Sequence, residues 1–100
     1  MIDYTSFTRL TKFENGSVRE WYEDKYGNIV TVLDNGQAHV VFRGASFALK
    51  LPDEIRAGDL TTPKTSLRFI CKLLNPYRKE DIEQLVQRGA FRVFSGMVRA

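Results

Sequence analysis

A chain of 100 residues, 43% hydrophobic and 27% charged, has the length and composition of one domain (1–100) around a single core, and is too apolar for disorder. One cysteine excludes an internal disulfide, and no apolar run reaches the roughly 18 residues of a membrane span. The net charge of +3 is unevenly placed: residues 1–60 hold seven Lys/Arg against nine Asp/Glu, a net −2, and residues 61–100 hold eight against three, a net +5.

Met1–Phe7 offers neither the basic n-region nor the apolar h-region of a signal peptide, which sets the expected location as cytoplasmic, with no membrane partner. Residues 1–51 then read as a β-meander. Turn signals recur at Asn15-Gly16, Gly27-Asn28, Asn35-Gly36 and Gly44, and the segments between them favour strand. The clearest pair is Ile29–Leu33 and Gln37–Phe42, joined by Asp34-Asn35-Gly36. Asn-Gly there is expected to supply the two positive φ angles of a tight hairpin turn. Further strands are expected at Thr5–Phe13, Val18–Glu23 and Ala45–Leu51.

Pro52-Asp53-Glu54 marks the change to a helical part, 62–100. Thr62 and Pro63 suit an N-cap and a first helical position, and Leu67, Ile70, Cys71 and Leu74 follow at helical spacing. Asn75-Pro76 ends that helix and opens another. In the second helix Glu80, Asp81 and Glu83 come early, Arg88 comes late, and Gly89 follows as a C′ residue, an order that complements the helix dipole. Its apolar face is Ile82, Leu85 and Val86.

The closing segment, read at 100° per residue, gathers Phe91, Phe94, Met97 and Val98 on one side and Arg88, Arg92 and Arg99 on the other. The aromatic side has the character of core. The expected architecture is therefore α+β: an N-terminal antiparallel β-meander of four to five short strands followed by two or three C-terminal helices packed on one face.

Chemistry-bearing groups are sparse. His39 is the only histidine, so histidine metal sites and Ser-His-Asp triads lack parts. Cys71 lies on an apolar helical face, as a small core residue does. Glu23-Asp24-Lys25, with Asp3 upstream, has the outward form of an acid-x-Lys nuclease element, but convergent carboxylates for magnesium cannot be placed. The glycines occupy hairpin-type turns and form no phosphate-cradling loop. The sequence thus points to a protein that is not an enzyme and calls for no cofactor or metal.

What remains is binding. Lys64, Arg68 and Lys72, at i, i+4 and i+8, form a basic stripe whose mutual repulsion a bound anion would relieve. Arg88, Arg92 and Arg99 continue the basic character. Trp21 and Tyr22, set among Glu20, Glu23 and Asp24, are protein-interface candidates if exposed, because the neighbouring acids repel phosphate. The leading expectation is a small regulatory or inhibitory protein docking on the acidic surface of a larger protein, such as a nucleic-acid-processing complex. The alternative is direct nucleic-acid binding, with the same basic residues contacting phosphates. An exposed terminal Phe91/Phe94/Met97 face would instead favour a homodimer.

Overall fold

A computed structural model describes residues 1–10, 18–52, 55 and 64–92. Among these residues five antiparallel strands lie in sequential order, β1 (Thr8–Arg9), β2 (Val18–Glu23), β3 (Ile29–Leu33), β4 (Gln37–Phe42) and β5 (Ala45–Lys50). Two helices follow, α1 (Thr65–Leu74) and α2 (Lys79–Gln87), and a 3-10 turn at Ala90–Arg92. The α+β meander-then-helix layout is the expected one.

Side-chain alternation assigns the faces. In β5 the pattern is strict: Ala45, Phe47 and Leu49 are buried, and Ser46, Ala48 and Lys50 are exposed. The register carries the buried set across the sheet through Val40 and Ala38 of β4, Val30 and Val32 of β3, and Tyr22 of β2. Leu67, Ile70, Cys71 and Leu74 of α1, Ile82 of α2 and Phe91 cover this one face as a single core. A register shift between Val18 and Glu20 marks a bulge in β2.

The turns show how local chemistry sets the connections. In the β3–β4 hairpin only Gly36 takes a positive φ (+89°), not both Asn35 and Gly36 as expected. The loop is three residues long, Asp34-Asn35-Gly36, with Gly36 N–H donating to Leu33 O and Gln37 N–H donating to Asn35 Oδ1. The two-residue primed turn occurs one hairpin later, at Arg43 (φ 52°) and Gly44 (φ 87°). A long side chain in the left-handed region is costly, and Arg43 is held there by several hydrogen bonds described below.

Three boundaries differ from expectation. Tyr4–Ser6 is a 3-10 turn rather than strand, because Asp3 caps it: Thr5 N–H donates to Asp3 Oδ1 at 2.9 Å, and the Ser6 hydroxyl donates to Asp3 O at 2.6 Å. Helix α1 begins at Thr65, since Lys64 is left-handed (φ 62°); Thr62 and Pro63 lie outside the described residues. Asn75 does end α1, but α2 opens at Lys79 rather than Pro76. The carbonyls of Asn75 and Tyr77, which a continuing helix would use internally, instead accept from the Arg43 guanidinium. Gly89 (φ 74°) closes α2, its N–H donating to Val86 O. Phe94, Met97, Val98 and Arg99 of the expected terminal helix lie outside the described residues.

Candidate partner-binding groove

The chain's first residues are fastened to the end of α1 by Asn75. Ile2 N–H donates to Asn75 Oδ1 and Asn75 Nδ2 donates to Ile2 O, each at 2.8 Å. Arg43 braces the same corner, with Nη1 donating to Asn75 O (2.8 Å) and Tyr77 O (2.5 Å) and Nη2 donating to Asn75 Oδ1 (3.3 Å). The Arg43 N–H donates to Asn28 Oδ1, and Asn28 is itself held by Asp24. This polar chain from Asp24 to Ile2 ties a turn of the sheet to the helical layer.

Farther along, Phe7 is buried and its carbonyl accepts from Lys64 Nζ at 3.2 Å. The Arg68 guanidinium stacks 5.3 Å from the Tyr4 ring centroid. Between these fastenings lies an open groove of about 980 Å³, bounded by the N-terminal segment, Ile55 and one side of α1. Ile2, Tyr4, Ile55 and Phe69 supply apolar walls; Arg68 and Lys72, both exposed, supply the cations.

Cys71 also borders the groove but is only 3% exposed, and burial pushes its thiol up to about 12, with the charges of Asp24 and Asp3 adding to the effect. A thiol held protonated is a poor nucleophile. Hydrogen bonds from Thr5 hold the Asp3 carboxyl below its usual range. Asp24 has both carboxylate oxygens engaged, accepting from Tyr26 N–H, Asn28 N–H and Asn28 Nδ2. It builds the β2–β3 turn. Among the described residues no three His, Cys, Asp or Glu side chains gather where they could hold a metal ion, and no helix is long and apolar enough to cross a membrane.

The candidate binding residues separate in space. Arg68 and Lys72 line the groove; Lys64, half-buried, is committed to Phe7; Arg88 is exposed at the end of α2, the helix packed on β5, and is not part of the groove lining. The Arg92 side chain and Arg99 fall outside the described residues.

Trp21 and Tyr22, adjacent in β2, point to opposite faces of the sheet. Tyr22 is 2% exposed, its hydroxyl donating to Glu20 Oε1 at 2.8 Å, so it is a core residue with no surface to offer a partner. Trp21 is half-buried on the face away from the helices, in register with Thr31, His39 and Ala48, and its Nε1–H is buried without a hydrogen-bond partner.

Sequence reasoning missed Asn75, Arg43, Ile2 and Tyr4. Asn75 reads locally as a helix stop, and nothing near it signals a clamp on a segment 73 residues away. Comparison with known protein families, characterised proteins and solved structures finds no match.

Proposed function

We propose that this protein is a small, non-enzymatic regulatory or inhibitory binding protein that takes an acidic, partly apolar segment of a larger protein into the groove beside α1. The observation that carries the reading is the placement of Arg68 and Lys72 on a groove whose other walls are Ile2, Tyr4, Ile55 and Phe69. Carboxylates of the bound segment would meet the two cations while its apolar side chains cover the groove walls, so charge steers the encounter and apolar burial holds it.

A protein segment suits this groove better than a nucleic-acid backbone. Phosphates are bound along a track of cations, each contributing to a steep salt dependence. Here Lys64 is already bonded to Phe7 and Asp3 lies on the groove's other bank. A nucleic-acid-processing complex is one kind of target; there the groove would meet an acidic face away from the nucleic-acid site, since a surface that binds a polyanion is itself basic.

The test is affinity capture from the native host with the wild-type chain and with an Arg68→Glu/Lys72→Glu variant whose circular dichroism matches it. A stoichiometric protein recovered with the wild type and lost with the variant supports the reading. Recovery of nucleic acid alone, with oligonucleotide affinity that falls steeply between two salt concentrations, replaces it with direct nucleic-acid binding.

A further inference from the structure

Among the described residues, the last strand of the sheet, β5, has β4 on one side and no strand on the other. Leu51 N–H donates to Gly36 O, which fixes the phase of the ladder: Leu49, Phe47 and Ala45 bond toward β4, and Ser46, Ala48 and Lys50 direct their N–H and C=O groups outward. None of these outward groups bonds another of the described residues. The strand pairs in unbroken register over all six residues, without bulge or proline. Within the strand itself, Lys50 is the one charged residue of the kind that commonly guards an edge.

We propose that β5 is the seam of a symmetric homodimer in which it pairs antiparallel with β5 of a second copy about a two-fold axis at Ala48. Among the antiparallel registers open to the strand, this is the one in which all three outward residues form bonded pairs within β5. Only residues with outward backbone groups can form the bonded pairs, so Ala48 faces Ala48, and Ser46 faces Lys50 of the partner subunit on each side of the axis. No two lysines stand opposite each other. The small, exposed Ala48 at the centre lets the strands approach without steric conflict, and each of the three residue pairs makes two backbone hydrogen bonds. On the core side the strand is backed by Phe47, 9% exposed and stacked on Phe91 at 5.2 Å, so the seam is presented by a packed element. The two sheets join into one of ten strands, and each groove beside α1 remains on its own subunit.

Sedimentation velocity over a concentration series, with amide hydrogen exchange of the full chain, tests this. The expected result is a concentration-dependent dimer in which the amides of Ser46, Ala48 and Lys50 become protected as the dimer fills. Ala48→Pro removes an outward donor that the monomer does not use, and is expected to weaken dimerisation by about a hundredfold. Should that variant fail to fold, Ser46→Lys places like charges opposite each other across the seam, and the dimer then weakens more at low salt than at high salt. A chain that stays monomeric up to its solubility limit overturns the proposal. So does a dimer in which those three amides exchange as freely as in the monomer, or one that a folded edge variant leaves unchanged.

Discussion

Asn75 holds Ile2 by both of its amide atoms, accepting from the Ile2 N–H and donating to the Ile2 carbonyl at 2.8 Å each. That paired bond closes the N-terminal segment over α1 and thereby makes one bank of the groove. Asn75→Ala loses both bonds and deprives Arg43 of a partner, and should cost about 2–3 kcal/mol in urea unfolding. Asn75→Asp does not restore the clamp, because its second oxygen meets the Ile2 carbonyl as one acceptor facing another. Binding of the acidic partner should weaken in parallel with the loss of this bank.

Arg43 combines a left-handed backbone (φ 52°) with guanidinium bonds to Asn75 and Tyr77. Arg43→Ala keeps the backbone cost and loses the bonds; Arg43→Gly loses the same bonds and relieves the backbone. The glycine variant should therefore be the more stable of the two by about 1 kcal/mol, although both fall below wild type. Thermal unfolding of the pair reads the difference directly.

Phe91 is 6% exposed and stacks on Phe47. Phe91→Ala removes a buried ring from the end of the core and should destabilise by about 3–4 kcal/mol. A chain truncated after Gly89, which also lacks Phe91, should show at least this loss, measurable as a shift in the urea midpoint.

Trp21 and Tyr22 give opposite outcomes from similar changes. Tyr22→Phe deletes a hydroxyl bonded to Glu20 and should cost about 1 kcal/mol. Trp21→Phe deletes a buried donor that has no partner, and should leave stability within about 1 kcal/mol of wild type or raise it. Urea unfolding of the two variants side by side checks both.

The native state holds the Cys71 proton more tightly than the unfolded chain does, since the thiol rises from 9.0 to about 12 on folding. The stability linked to that proton is fully present below pH 9 and is lost as pH climbs toward 12. Burial shifts Tyr22 in the same direction, so Cys71→Ala should flatten the alkaline decline without abolishing it. Thiol titration with a disulfide reagent at pH 8 should be slow in the native protein and fast in denaturant.

Local chemistry was legible wherever a residue's own backbone preference decides the outcome. Gly36, Gly44 and Gly89 end elements because they take positive φ angles at little cost. A strand was expected over Ala45–Leu51 and is found at Ala45–Lys50, and the helical spacing of Leu67, Ile70, Cys71 and Leu74 announced their buried side correctly. The basic stripe on α1 was visible as well, and two of its three members do line the groove.

Other assignments depend on partners far away in the chain. Both faces of β2 and β3 carry apolar side chains, with Trp21, Ile29 and Leu33 on one and Tyr22, Val30 and Val32 on the other, so periodicity alone leaves the buried face open. The helices decide it by docking on the Tyr22 side. Likewise, nothing near Arg43 indicates a left-handed arginine whose guanidinium binds carbonyls more than thirty residues away. By itself the sequence determined the positions of the turns at Gly27, Gly36 and Gly44, the strand and helix order, and the charge of α1, because these rest on interactions within a few residues. The tertiary structure alone decided which aromatic is core, which cations border the groove and how Asn75 shapes it, because those outcomes depend on contacts between segments that meet only when the chain folds.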